Sequence, residues 1–535
     1  MSGTESRKTG PGRREARAIQ EQQEKRKLRR TAIIIVIVVV LLFLGALFVN
    51  SKLIRRVVTA VTVGGIKFTA AEFDYFYQNT VYEYSGMMNE QLGDYAAELL
   101  PSNDRPHSSQ IKDEETGETW SAFFGRLAIE KIAEMVSYHN DAINNGYTMT
   151  EETRNSIDEE IENLKLTADM YSAQFKDFDA FLQEFYGASM NEKSFRKIAE
   201  FVDTVEAYKV FMRDSFNYSH DDLVGYYAEN KDSLDTFSYR YFTVYIDTID
   251  ETDFDSTDEY EAAKEAALAD AFGRAQEIVA GIGSEEDFIE AARGYDPELY
   301  EKDDSTLHDY QGEWLGSIYG PWLREAGRVG GDVSAFEMSN GAYVVYFVSR
   351  DNNEYKMVEM RQLLFMRDEV EENDFFVTED LDPGDYYFDE DAYDQAVSEA
   401  DGIARSRADE ALELFRGGGS TEAKLIELME EHSDDYTEGG FYSEITTNAA
   451  QNKMVREIEE WLFDPVRKVG DYELIRTEDY GYHLVYFMGW GERYCDFVAD
   501  ERMRDRDYGA WMENLSEPTS SEHWGMILTQ RRRGS

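Results

Sequence analysis

The chain predicts an α+β protein behind a single N-terminal transmembrane helix. A mostly helical domain comes first, then two tandem α+β domains, each a small antiparallel sheet flanked by helices. Three observations carry this expectation. Residues 31–49 form an unbroken apolar run. From 61 to 236, apolar residues recur three and four apart, the spacing of one helix face. Beyond that, a unit of strand, helix, helix, glycine-marked strand, helix and strand occurs twice.

Nineteen apolar residues at ~1.5 Å rise span about 28 Å, enough for one bilayer crossing. The first thirty residues carry ten Lys/Arg against four Glu, so the positive-inside rule puts 1–30 in the cytoplasm and the rest outside. A cleaved signal peptide is the competing reading. The long basic region and the lack of a small-x-small site favour an uncleaved anchor in the cell membrane.

Of the 535 residues, 42% are apolar, so the chain can bury several cores despite its net charge of −55. Setting aside residues 1–56, with 13 basic and 4 acidic side chains, takes that charge to −64. Such a surface repels nucleic acid and anionic lipid; it can hold cations or basic unfolded chains, or serve only as a solvated face. Cys495 is the single cysteine, so no intramolecular disulfide and no CxxC redox or zinc site exists. Asp247, Asp250, Asp253 and Asp255 lack the glycine of a calcium loop. No metal or cofactor is expected.

The helical domain opens on a strand, a turn at Gly64-Gly65 and a helix capped by Thr69 with Glu72. Capping boxes at Thr148-Met-Thr-Glu151 and Ser219-His-Asp-Asp222 start further helices, and 101–119 reads as a polar loop. His107, His139 and His220 are isolated. A first α+β domain covers 237–353 and a second 356–492, with an acidic insertion at 368–394; a helix and tail fill 493–535. In the later unit Glu438-Gly-Gly-Phe441, Met454, Val469-Gly-Asp471 and Gly481-Tyr-His483 occur in order. The earlier has Gln311-Gly-Glu-Trp-Leu315, Val329-Gly-Gly-Asp332 and Gly341-Ala-Tyr343.

With Ser433-Asp-Asp435 before them, the later motifs resemble the parvulin family of peptidyl-prolyl isomerases. The whole ectodomain resembles the SurA and PrsA foldases, and 61–236 their chaperone region. The resemblance implies a proline socket at Met454 and Ile458 with Phe441 and Trp461 as aromatic neighbours. It implies a polar centre of His483, Gln362 and Asp434, with Gln362 in place of the family's first-strand histidine. In the earlier copy Tyr241 and Tyr343 hold both histidine positions, Asp296 keeps the acidic one, and Tyr319-Gly-Pro-Trp-Leu323 replaces the Met helix. The implied clients are unfolded or proline-containing secreted polypeptides. The implied activity is X-Pro isomerisation by the second domain, with a non-catalytic holdase or scaffold as the alternative.

Overall fold

The computed structural model describes residues 52–102, 104–303, 305–377, 387–447 and 454–529, together with 36, 39 and 40. Apart from those three positions, the expected anchor at 31–49 and its basic tail lie outside the described residues. Among the described residues no helix is long and apolar enough to cross a membrane. The chain divides into two units, 1–216 with 506–535, and 217–505.

In the first unit, β1 (Thr59–Val63) and β2 (Ile66–Thr69) pair antiparallel across the Gly64-Gly65 turn. Thr69 caps α1 (Ala70–Leu92): its hydroxyl accepts from Glu72 N, and the Glu72 carboxylate accepts from Thr69 N. α2 (Trp120–Asn144), α3 (Glu151–Met170), α4 (Phe178–Tyr186) and α5 (Glu192–Ser215) each start at a Thr, Asp or Asn cap that satisfies a free N–H. The cap of α3 is Thr150, not Thr148, which places Glu151 and Glu152 in the first turn, at the positive end of the helix. The expected loop at 101–119 carries a small hairpin, Ile111–Asp113 with Glu118–Thr119. Phe73, Phe76, Phe124, Ile132, Val136, Leu182 and Val205 form the core.

The second unit opens with α6 (His220–Leu234), capped by the Ser219/Asp222 box. Its first half contains β3 (Thr236–Tyr245), α7 (Thr257–Gly281), α8 (Glu285–Tyr295), β4 (Leu307–Gln311), the single turn α9 (Gly320–Leu323), β5 (Val333–Met338) and β6 (Gly341–Asp351). Its second half contains β7 (Lys356–Met366), α10 (Glu390–Gly417), α11 (Glu422–His432), β8 (Phe441–Ile445), α12 (Arg456–Leu462), β9 (Tyr472–Thr477) and β10 (Gly481–Arg493). The sheet orders are β4–β3–β6–β5 and β8–β7–β10–β9, each antiparallel throughout.

Register proves the repeat strand by strand. Gln362 faces Val485 as Tyr241 faces Val345, and Leu364 faces His483 as Thr243 faces Tyr343. Both halves carry the same irregularity, Gly331 N and Gly470 N donating to Phe347 O and Phe487 O. Register also corrects the earlier-copy alignment. Leu307 and His308 pair with Arg240 and Tyr239 as Phe441 and Tyr442 pair with Arg361 and Met360. Gly312 therefore follows its edge strand, whereas Gly440 precedes its own. Trp322 and Leu323 are not a replacement of the Met helix but its shortened remnant. The Arg328 guanidinium lies 3.9 Å over Trp322 and its Nε donates to Trp322 O; Arg467 does the same to Trp461.

α13 (Tyr494–Glu513) begins in the second unit, where Tyr494 and Val498 pack with Leu234 and Met357, and ends in the first. There Trp511 Nε1 donates to Asp141. β11 (Ser520–Glu522) adds to β1, and Met526 and Leu528 enter the first core. Residues 506–529 are thus part of the helical unit, not a separate tail as the sequence suggests.

Candidate functional site

Strand alternation divides the second sheet into two faces. Leu363, Phe365, Leu484 and Tyr486 pack under α10 and α11. Val358, Met360, Val485 and Phe487 face the other way and meet Met454, Ile458, Trp461 and Leu462. Gln362 and His483 occupy strand positions of this second face, diagonal to one another across β7 and β10.

Their polar atoms form one chain. The Gln362 amide Nε2 donates to Asp435 Oδ2 at 2.9 Å, and His483 Nδ1 lies 3.0 Å from Gln362 Oε1. His483 Nε2 lies 2.9 Å from Thr477 Oγ1. Tyr442 OH donates to the same Asp435 oxygen at 2.8 Å, and Thr437 N donates to the other at 2.9 Å. His483, Gln362 and Thr477 are 4%, 6% and 2% exposed, so the chain is an interior network whose members are satisfied by one another. Tyr480, half exposed on the β9–β10 turn, sets its ring edge-on to His483 at 6.3 Å.

The loop 433–435 is fastened to β7 by three residues with separate tasks. Ser433 Oγ accepts from Leu364 N and from Asp435 N. The Asp434 carboxylate takes a bidentate pair with Arg407 and accepts from Met366 N. Asp434 therefore does not join the polar centre, because a paired carboxylate on the β7 backbone faces away from His483. Asp435 supplies that carboxylate. Phe441 is likewise off the site: alternation turns it to the opposite face, where Arg361 lies 4.9 Å over its ring. Tyr442 takes the inward position. Trp461 stays on the site face, its Nε1 donating to Glu473. Of the expected residues, His483, Gln362, Met454, Ile458 and Trp461 share one face; Asp435, Tyr442, Thr437, Thr477 and Tyr480 were missed. The signal for Thr477 was available in its two-residue spacing from Ile475, which pairs with His483.

In the first half, tyrosines fill the equivalent space. Tyr241 stacks on His308 at 4.5 Å and on Tyr319 at 5.7 Å, and meets Tyr343 edge-on at 5.6 Å. Tyr319 OH lies 3.3 Å from Tyr239 OH. Asp296 does not approach them; its carboxylate accepts from Leu299 N, closing its own turn. The histidine here, His308, comes from the edge strand β4, at the register position of Tyr442.

No family model and no curated protein matches the chain. Among solved structures it is similar to a peptidylprolyl isomerase (PrsA) from Bacillus cereus, 13% identical over 46% of this chain and 78% of that one, with a TM-score of 0.24. A second, the peptidylprolyl isomerase (PrsA) from Bacillus anthracis, is 11% identical over 52% and 88%, with a TM-score of 0.20. PrsA from Bacillus subtilis is 10% identical over 61% and 93%, with a TM-score of 0.16. At these scores a functional reading has to come from the chain's own residues.

Burial pushes His483 down to about 4, against the opposing pull of Asp435, so its imidazole is neutral at pH 7. Burial raises Asp435, but the hydrogen bonds from Thr437, Gln362 and Tyr442 outweigh it and hold the carboxyl below its ordinary value. A neutral ring and an ionised carboxylate are thus fixed either side of an uncharged amide. Elsewhere in this unit a cavity of about 210 Å³ is lined by Tyr227, Lys231, Asp235, Arg493 and Cys495. Its thiol is pushed up, chiefly by burial, and its arginine is held by Asp496. Among the described residues no group of three His, Cys, Asp or Glu could hold a metal ion.

Proposed function

We propose that the chain is a membrane-anchored extracytoplasmic folding factor. Its second α+β half acts as a parvulin-type peptidyl-prolyl cis-trans isomerase and residues 61–236 as a chaperone domain. Its clients are unfolded or proline-containing secreted polypeptides. The observation that carries this reading is the joining, on one sheet face, of an apolar wall with the Asp435–Gln362–His483–Thr477 chain. Rotation about X-Pro breaks no bond but faces a barrier of about 18–20 kcal/mol, because the C–N bond has double-bond character. A site lowers it by holding the twisted imide better than either planar form. Met454, backed by the buried Ile458, offers the proline ring an apolar surface, and the polar chain beside it, charged only at Asp435, keeps its geometry without solvent reorganisation.

One observation favours the non-catalytic holdase instead. Both ring nitrogens of His483 are already bonded inside the protein, and its ring is 4% exposed. Refolding of a client limited by prolyl isomerisation separates the two. The isomerase reading expects the full chain to speed the slow phase and His483→Ala to abolish the gain while still suppressing aggregation. A slow phase untouched by the wild type, with aggregation suppressed, leaves the holdase.

A further inference from the structure

The hydrogen bonds around Gln362 fix more than its position. An ionised carboxylate only accepts, so the atom Gln362 turns towards Asp435 must be its NH₂. Tyr442 and Thr437 already bring their own donors to that carboxylate, which keeps it ionised and keeps it an acceptor. The amide carbonyl is then the only atom left to face His483 Nδ1, so Nδ1 must carry the proton and donate. Nε2 is left with its lone pair, and the Thr477 hydroxyl donates to it at 2.9 Å. Each link allows one orientation of the next, from carboxylate to hydroxyl.

We infer that Gln362 is a positioning residue: through Asp435 it holds His483 as the single neutral tautomer protonated on Nδ1. Asp435 and Tyr442 act through it in the same way. A side-chain amide has two chemically different ends and no titration of its own, so an anchored Gln362 imposes direction where a freely flipping one would impose none. The consequence for catalysis rests on the isomerase reading, but the tautomer does not. Gln362 then substitutes for a second histidine on β7 by order, not by charge, and the substitution does not by itself mark a dead site.

The test is ¹⁵N NMR of the imidazoles in the full chain at pH 7, with His483 assigned by loss of its signals in His483→Gln. The wild type is expected to show one neutral form of His483, protonated on Nδ1. Asp435→Asn, nearly the same shape, lets the facing amides flip and should give a mixture of tautomers. Gln362→Leu should lose the Nδ1–H form, lowering kcat several-fold while KM, set by the untouched Met454 wall, stays the same; Gln362→His should restore kcat. A wild-type His483 protonated on Nε2, or a tautomer unchanged in both Asp435→Asn and Gln362→Leu, overturns the inference. Should Gln362→Leu fail to fold, Asp435→Asn alone decides. The expected tautomer without any prolyl acceleration sinks the isomerase reading only; acceleration with the other tautomer sinks this inference only.

Discussion

Asp434 and Asp435 are neighbours in sequence with unrelated work, and the difference is one of direction along an extended loop. Asp434 points at Arg407 and Asp435 at Gln362. Ser433-Asp-Asp435 stands among the motifs of the later unit, so a carboxylate for the polar centre was legible there; which of the two turns inward was not, because that depends on the loop's bonds to β7. His483 carries a pH signature. An unfolded histidine takes up a proton near 6.5 and the folded one only near 4, so between these values the unfolded state binds more protons. Stability should fall as pH drops through 6.5 and level off near 4, by about 3 kcal/mol in all. Chemical denaturation from pH 7 to 4 checks this, and His483→Gln should flatten that part of the profile. Gly440 is a second sharp residue, at φ +58 with room for no Cβ: Gln362 O would lie 2.3 Å away. Gly440→Ala should cost at least 1–3 kcal/mol and lower the melting temperature.

At the scale of elements, the resemblance named Gln362 and His483, and alternation along the paired strands β7 and β10 puts both on one face, with Gly481 opening β10 opposite Met366. The same alternation turns Phe441 away, and its phase was not legible because its strand begins straight after a tight 3₁₀ turn. In the first half the edge strand precedes its glycine and brings His308, not a glycine motif, to the site. The Trp–Arg clamp was invisible because it joins a helix tryptophan to a loop arginine six residues on, a pair that no single helix or strand pattern links. Its worth can be measured. Arg467→Lys keeps the charge but loses the planar stack on Trp461 and the bond from Nε to its carbonyl, and should cost about 1–2 kcal/mol. Equivalent loss in Arg328→Lys would show that the two halves use the same device; no change in either melting curve would count against it.

For the whole molecule, the part that residues 516–529 play in closing the helical unit was not legible in the sequence. Nothing in 516–529 marks it as core, since three exposed polar residues form β11 and the apolar pair Met526 and Leu528 is too short to show a period. Removing 516–535 should expose those two side chains' partners at a cost of about 3–6 kcal/mol. Hydrogen exchange would then rise in α1 and α2 while β7 and β10 keep their protection; unchanged protection in α1 would contradict the role given to the chain end. The central claim is that the face shared by Met454, Ile458, Gln362 and His483 acts on X-Pro bonds. NMR exchange spectroscopy of a proline tetrapeptide with the full chain tests it most directly. Interconversion should quicken at least tenfold with the wild type and return to the uncatalysed rate with Met454→Ala and with His483→Ala. An uncatalysed rate with the wild type, or equal acceleration by all three proteins, would contradict it.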